Sequence, residues 1–569
     1  MYKLIRVGLI VSVLLTVYLL AFAVIVVPYL WVVAAGILVG MLCMKTYSYT
    51  AYGTARWAQL EEIPHLLEGS GLIVGHIQGR FSLASGLKAL FDSRIPAWQA
   101  CQKFLISRQR KQPKQLVRLT DAVHTAVFAP TGVGKGVSCI TPFMLTCPDS
   151  MVVLDFKGEN ALNTANARKK MGHRVVVLDP FKVTTPEPDT FNPLDWIDRD
   201  SPTALDDCRD LAEALVVRTG EEKEPHWTAS AEVWITAMIA TVVCFAEGSN
   251  KNLQSVRALL TNPEKMQMAI RMMCESEDIW DGMLSRLGFQ LMHFKDKELS
   301  STLTTTNRFM RFLDTIAVSE STKQSSFNPA DLLSKGKMAV YLVLPPEHMR
   351  AQSALLRLWI GSMLRAVVKG GLQEKTKVHF ILDEAASLGH MDAVDKYRGY
   401  GVRLQFYYQS LGQLKKCWQE GADQTLLSNT TQVFFGVNDQ QTAEYISARL
   451  GEQTIVIKSG GTGSGKSWQR SKQETTSSRS SNSNDNWNQI GRKLLRPEEV
   501  TGLPQRIAIT FTPGAKPIWT RLVRYYEKDF KISRGVGLVK AMFVSTCLFL
   551  CSTLLAVSVT AALFLPTHR

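Results

Sequence analysis

The segment HTAVFAPTGVGKGVSCITPFML, His124–Leu145, decides the fold. It opens with a short β-branched and aromatic run, HTAVFA, turns through a glycine-rich stretch, and leaves through VSCITPFML, whose apolar spacing is helical. A buried strand that turns through glycines into a helix aims the first helical N–H groups and the positive end of the helix dipole at one point, where a phosphate fits. Gly132 and Gly134 allow the backbone to curl into an anion nest, and Lys135 can reach the outer phosphates. The candidate phosphate-binding residues are therefore Pro130, Thr131, Gly132, Val133, Gly134, Lys135, Gly136 and Val137. Ala129 replaces the first glycine of the usual pattern. Gly136 stands where a Ser or Thr hydroxyl normally coordinates Mg2+, which leaves that ion to water, carboxylates or Ser138.

The strict pattern GxxxxGK[ST] occurs elsewhere, at Gly460–Ser467 (GGTGSGKS). Polar, low-complexity sequence follows it and offers no apolar helix face, so this second match is read as a coincidence in a linker, with Lys466 a solvated charge.

Working outward from the first match, MVVLD and RVVVLD alternate with helical stretches, the pattern of buried parallel strands in a wound α/β sheet. Strand signals then fade from about Ser201 to Ser325, where HWTASAEVWITAMIATVVCF and PEKMQMAIRMMCE predict an all-helical insertion. Strands resume with MAVYLVL, VHFILD, VRLQFYY and QVFFGV, and RIAITF with WTRLVRYY predicts a closing pair. One of these strands runs into ILDEAASLG, Ile381–Gly389, and so sets Asp383 and Glu384 at the carboxyl edge of the sheet, where ligands bind. Asp383 can hold Mg2+ through water, and Glu384 can orient or deprotonate an attacking water. The stretch from Lys458 to Asn488 is rich in Ser, Asn, Gly and Thr, and predicts a flexible surface loop.

The ends of the chain explain a mismatch in its composition. The 569 residues carry 65 Lys+Arg against 50 Asp+Glu, a formal net charge of +15, and 20% are charged, yet mean hydropathy is zero. Between Leu4 and Met44 the only charge is Arg6, and Ala541–Leu565 has none. These runs predict a hairpin of two membrane helices, about Ile5–Val27 and Tyr29–Met44, and a third span near the C-terminus. Flanking Lys and Arg residues put the body between them on the cytoplasmic side. The ten cysteines include no CxxC pair, so neither a disulfide framework nor a zinc site is indicated.

The expected organisation is a transmembrane hairpin (1–45), a nucleotide-binding domain in two parts (46–198 and 326–535, the second holding loop 458–488), a helical insertion (199–325), and a membrane helix with its tail (536–569).

MVVLDFKGEN (Met151–Asn160), ILDEAASLG and YRGYGVRLQFYYQSLGQL (Tyr397–Leu414), in this order, resemble the signature blocks of the type IV secretion coupling proteins, the membrane-anchored hexameric ATPases of conjugative DNA transfer. The early segment TARWA (Thr54–Ala58) fits as well. The resemblance implies a RecA-like nucleotide-binding fold with an inserted all-α domain, ATP and Mg2+ as cofactors, and a place in the bacterial inner membrane. It further implies a homohexamer at the secretion channel's inner-membrane components, taking up relaxase-bound single-stranded DNA, effector proteins, or both.

Residue by residue, the resemblance makes Lys135 and Glu384 catalytic, with Asp383 on the metal and Asp155, from the DxKGE block, assisting it. Gln409 would sense the γ-phosphate, and Arg398 would cross the subunit interface to stabilise transition-state charge. For Arg398 a solvated charge, and for Gln409 a strand-end cap, are the plainer readings. Lys157 and Glu159 complete the block without an assigned role. A nucleotide-gated docking receptor with little turnover is the rival function, motivated by the missing hydroxyl at Gly136. A septal DNA translocase is a second rival, which would carry a longer linker and a C-terminal DNA-reading domain.

Overall fold

The computed structural model describes residues 51–77, 115–216, 224–373, 375–389, 396–418, 421–470, 475–527 and 530. The expected membrane helices, in 1–45 and 536–569, lie outside the described residues. The chain divides into two compact units, residues 1–55 with 451–494 and residues 56–450 with 495–569.

Among the described residues, the larger unit is built on a mixed sheet of eleven strands. In chain order these are β1 (Leu72–Ile77), β2 (Gln115–Leu119), β3 (His124–Phe128), β4 (Ser150–Asp155), β5 (Arg174–Leu178), β6 (Met338–Val343), β7 (Val378–Leu382), β8 (Val402–Tyr408) and β9 (Thr430–Phe435). Two strands after the second unit's hairpin, β12 (Ile507–Phe511) and β13 (Ile518–Arg521), complete it. Across the sheet the order is β2-β1-β13-β12-β9-β3-β8-β7-β4-β6-β5. From β9 to β5 every neighbour is parallel, and from β9 through β12, β13 and β1 to β2 every neighbour is antiparallel. The parallel strands are apolar at nearly every position because helices cover both faces of such a sheet. β3, β4 and β6 are buried along their whole length. At the centre, Phe128 of β3 stacks between Phe434 of β9 and Tyr408 of β8, at ring-centroid distances of 4.9 and 5.8 Å.

Between β5 and β6 the described chain forms helices only, and these belong to the same compact unit as the sheet. Their boundaries follow local chemistry. Asn252 caps Leu253–Thr261 by accepting from the Ser255 N–H at 3.0 Å, and Asn262 caps Pro263–Glu275 by accepting from Glu264 and Lys265. Proline opens Pro225–Phe245 and Pro263–Glu275 at the position where a missing N–H costs nothing. Pro225–Phe245 is apolar on all sides, long enough by composition to cross a membrane, and buried inside this unit as a core helix.

Four features differ from the sequence reading. β1 and β2 have no counterpart in it, and they extend the sheet beyond the closing pair. The chain after the phosphate loop begins as a π-helical turn, Gly136–Ile140, before it continues as an α-helix, Thr141–Met144. Residues 1–55 with 451–494, which the sequence reading did not group together, form a unit of their own.

The fourth is a correction. The segment expected to be a flexible loop, 458–488, lies within a long antiparallel ribbon of β10 (Glu452–Arg470) and β11 (Thr475–Lys493). A two-stranded ladder satisfies its backbone groups internally, so it needs no apolar core to be extended. Its base is registered by Ile455 opposite Ile490 and by the bridge of Thr54 to Gln453. The strict motif Gly460–Ser467 runs along β10 and is not a strand-to-helix turn.

Candidate active site

The order of the parallel strands determines which residues meet. All their carboxyl ends lie on one edge, and β3, β8, β7 and β4 are consecutive neighbours. Along this edge stand, in turn, the glycine loop after β3, Gln409 after β8, Asp383 and Glu384 after β7, and Asp155 at the end of β4. Residues far apart in the sequence thus fall within four adjacent strand ends, about 5 Å apart from one strand to the next.

The loop itself is held open by glycine. Gly132 and Gly134 have φ of +86° and +101°, the left-handed region that side chains other than glycine rarely adopt. Lys135 is buried, and its Nζ donates to the Ala129 carbonyl at 2.9 Å and lies 3.9 Å from Glu384 Oε1. Glu384 is held in a left-handed conformation, φ 57° and ψ 50°, which costs a non-glycine residue on the order of 1–3 kcal/mol. The backbone N–H and the hydroxyl of Ser387 both donate to its carbonyl at 2.9 Å and fix this turn. Gln409 Nε2 donates to both Glu384 carboxylate oxygens, at 3.3 and 3.2 Å. Lys135, Glu384 and Gln409 are therefore directly joined.

The two aspartates differ in their surroundings. Burial pushes the Asp383 carboxyl up to about 6; Lys135 pulls it back down, while the charges of Glu384 and Asp155 push with burial. Burial also raises Asp155 to about 6, although its carboxylate accepts backbone N–H groups from the loop that follows it. The Ala161 N–H donates to Asp155 Oδ2 at 2.8 Å, so this side chain folds the DFKGEN turn onto the start of helix Glu159–Lys170. Lys157 and Glu159 are exposed on that turn. A lysine in a glycine cradle, flanked by crowded and partly desolvated carboxylates, is a donor set that a polyphosphate with a divalent cation would complete. An added Cβ at Gly136 would meet nothing within 4 Å, so packing does not enforce the missing hydroxyl.

Arg398 stands apart. It is exposed in the short turn Arg398–Tyr400 before β8, on the amino edge of the sheet, whereas Gln409 follows the same strand on the carboxyl edge. Seven residues of strand separate the two edges, about 23 Å, so Arg398 does not reach its own chain's glycine loop. Its carbonyl accepts from Arg403 at 3.2 Å. Deeper on the amino edge, His379 and Asp149 hydrogen bond at 3.3 Å, and the Cys147 thiol, pushed up to about 12 by burial, lies 3.8 Å from the same carboxylate oxygen.

Sequence reasoning missed two residues that shape the site. Gly436, just after β9, has φ +62°, and a Cβ there would sit 2.8 Å from Val133 Cγ1, so its bare backbone makes room for the glycine loop. Gln413 Oε1 accepts the Gln409 N–H at 2.7 Å and fixes the residue that contacts Glu384. The spacing Gln409-x-x-x-Gln413 beside the helix cap Ser410 is the signal that could have revealed the second; Gly436 leaves no comparable sign.

Comparison with known proteins follows the same lines. Residues 87–546 match the family described as Type IV secretory system Conjugative DNA transfer. The type IV secretion system-coupling protein VirD4 of Bartonella quintana (strain Toulouse) is 30% identical over 422 residues, covering 72% of this chain and 63% of that protein. The conjugal transfer protein TraG of Rhizobium radiobacter is 29% identical over 432 residues, covering 73% and 63%. The chain thus spans somewhat under two thirds of these relatives' length. Among solved structures, the plasmid coupling protein TrwB in complex with ADP and Mg2+ aligns with a TM-score of 0.52 at 16% identity, covering 70% of this chain and 85% of that one. That likeness concerns the fold: an α/β nucleotide-binding architecture with a large mixed sheet.

Proposed function

This chain belongs to the type IV secretory system conjugative DNA transfer family, and from that premise we propose that it is a membrane-anchored coupling ATPase. In this reading it receives relaxase-bound single-stranded DNA, effector proteins, or both, and drives them into a secretion channel. The observation that carries the proposal is the joining of Lys135, Glu384 and Gln409 at the carboxyl edge of the parallel sheet.

Pro130 to Val137 cradle the triphosphate of ATP, the backbone N–H groups from Thr131 onward donating to it, and Lys135 leaves the Ala129 carbonyl for the outer phosphates. Mg2+, held by Asp383 with Asp155 assisting, would neutralise phosphate charge. Glu384 orients a water and takes its proton, and its strained backbone together with Gln409 fixes the carboxylate's direction. Gln409 exchanges its bond to Glu384 for one to the γ-phosphate, and so reports nucleotide state to β8. Arg398, too far from its own loop, serves the neighbouring subunit of a hexamer. The TrwB complex with ADP and Mg2+ supports the choice of cofactors. Localisation in the inner membrane, with the body cytoplasmic and the channel's inner-membrane components as partners, rests on the apolar runs at 5–44 and 541–565.

The test is steady-state ATP hydrolysis by the purified oligomer with and without single-stranded DNA. Wild type should turn over and respond to DNA, and Glu384→Gln should lose about 10²–10⁴-fold while still binding nucleotide. Equal, negligible turnover in both would instead favour the docking receptor that the bare Gly136 suggests.

A further inference from the structure

The amino edge of the parallel sheet, away from the glycine loop, holds a second group of chemistry-bearing side chains. Cys147 and Asp149 lie on the loop that joins Thr141–Met144 to β4, and His379 comes from the neighbouring strand β7, in register with Met151. Asp149 Oδ2 is the hub, with His379 Nε2 at 3.3 Å and Cys147 Sγ at 3.8 Å. The ligand atoms of the three residues all lie within 4.8 Å of one another. Around a tetrahedral Zn2+ the usual bond lengths set nitrogen and oxygen ligands about 3.4 Å apart, and sulfur and oxygen ligands about 3.6 Å apart. The two separations centred on Asp149 already stand close to those values.

The frame around these atoms is rigid. Arg168, fully buried, donates to the carbonyls of Met144, Cys147 and Asp149 and so fixes the loop that carries two of the three side chains. Its remaining contact is to His173 Nδ1 at 2.8 Å, which leaves the Asp149 carboxylate and the Cys147 thiol to each other and to His379. His379 Nδ1 has no hydrogen-bond partner and stands against the Phe143 ring, with centroids 4.9 Å apart, so the polar partner of this imidazole lies on its Nε2 side.

We propose that Cys147, Asp149 and His379 bind a zinc ion, separate from the Mg2+ of the nucleotide site. The fourth position falls to water, because Asp149 and His379 also line a cleft shared with Thr125, Lys377 and Gln405. As the Zn–S bond forms, the Cys147 thiol proton passes to solvent, and thiolate and carboxylate together neutralise the ion's two charges. A sulfur, nitrogen and oxygen donor set selects zinc over magnesium and calcium, which prefer oxygen alone. The ion clips the chain leaving the phosphate-loop helix to the start of β7, so it ties together the bases of two elements whose other ends present Lys135 and Glu384. Paired Cys/His spacing is no guide to such a site, because His379 joins Asp149 from 230 residues away.

The test takes the full chain in detergent, strips it with EDTA, holds it in excess Mg2+ without nucleotide, and titrates it with Co2+ and then Zn2+. Stoichiometric Co2+ should give a thiolate-to-cobalt charge-transfer band together with the visible bands of a tetrahedral ion, and Zn2+ should displace both. The carboxylates at Asp155 and Asp383 offer no sulfur, so an ion held there cannot produce the first band. Cys147→Ser should abolish it. His379→Gln should weaken Co2+ by more than the roughly 10–100-fold that loss of an outer partner costs, and Cys274→Ser, which removes a partly exposed thiol elsewhere, should bind as wild type does. Thermal midpoints of the metal-free forms establish folding, and Zn2+ should raise the midpoint of wild type but not of Cys147→Ser. A wild type without the charge-transfer band, or a band that survives Cys147→Ser, overturns the proposal. Should the variants fail to fold, X-ray absorption at the zinc edge of the wild type decides: a sulfur neighbour with nitrogen and oxygen supports the site, and nitrogen and oxygen alone overturn it. No readout uses ATP, so the coupling-ATPase reading stands or falls separately.

Discussion

The chain contains the same short phrase twice, APTGVGKG at 129–136 and GGTGSGKS at 460–467, and folds it in two different ways. The first joins a fully buried strand to a helical turn and sets its lysine 3.9 Å from a carboxylate. The second, although it is the stricter match, lies extended along one strand of a polar ribbon. The difference comes from what flanks each phrase. HTAVF can only be buried, and VSCITPFM continues as a helix, so the glycines between them must turn. GTGSGK between polar residues has no buried strand to leave and no helix to enter, so its backbone is satisfied across a ladder. A glycine-lysine pattern acquires chemistry from its neighbours.

Breaking each copy tests this contrast. Lys135→Ala should cost about 10³-fold in ATP turnover, whereas Ser467→Ala, which removes the hydroxyl of the strict motif, should stay within about twofold. Steady-state kinetics on both variants is the measurement, and a large loss in Ser467→Ala would reverse the assignment.

The next effect probes what makes room for the working copy. Gly436→Ala puts a methyl group 2.8 Å from Val133 Cγ1 at a left-handed backbone position. It should destabilise the fold by about 1–2 kcal/mol and weaken nucleotide binding about tenfold, read by denaturant titration and by binding of a fluorescent nucleotide.

Asp383 supplies a smaller effect with a definite sign. Its folded carboxyl titrates at about 6, above its unfolded value, so the folded state holds the proton more tightly. Stability therefore falls as pH rises from about 4 through 6, and the penalty is complete above that range. Asp383→Asn avoids it and should stabilise the nucleotide-free protein by about 1–2 kcal/mol at about pH 7.5, with the gain gone below about pH 4. Thermal melts across that range would show it, and a variant less stable than wild type at the upper end would contradict it.

Gly136→Ser should have the smallest effect. With nothing within 4 Å of its Cβ, it should fold with stability unchanged or raised by about 0.5 kcal/mol, and need a fewfold less Mg2+ to bind nucleotide in a titration.

The sequence is most readable where a residue type has a single physical solution. β-branched runs such as MVVLD and MAVYLV are too apolar to be anything but buried strands, and the carboxylates at the end of VHFIL inherit their place from the strand. β1 and β2 escape such a reading because each is short and β1 pairs with a partner distant in sequence, packing against β13 with His76 opposite Arg521. The ribbon escapes it because polar residues in a two-stranded ladder leave no apolar alternation. In the site, Lys135, Asp383 and Glu384 can be singled out from local context. The link from Gln409 to Glu384 depends on β8 lying between β3 and β7, and no local pattern specifies that strand order. The separation of Arg398 from the loop likewise follows from the direction of β8.

The antiparallel flank of the sheet has a mechanical consequence. β1 and β13, the first and last strands among the described residues, lie side by side in the sheet, and β12 and β9 stand between them and the glycine loop. A tether pulling through the chain before β1 or after β13 therefore loads the same margin. The load would run along the strands, so neighbouring hydrogen bonds resist it together in shear rather than opening one at a time. Two intervening strands then act as a buffer, and tension on the chain outside β1 and β13 can be borne without distorting the loop that holds Lys135.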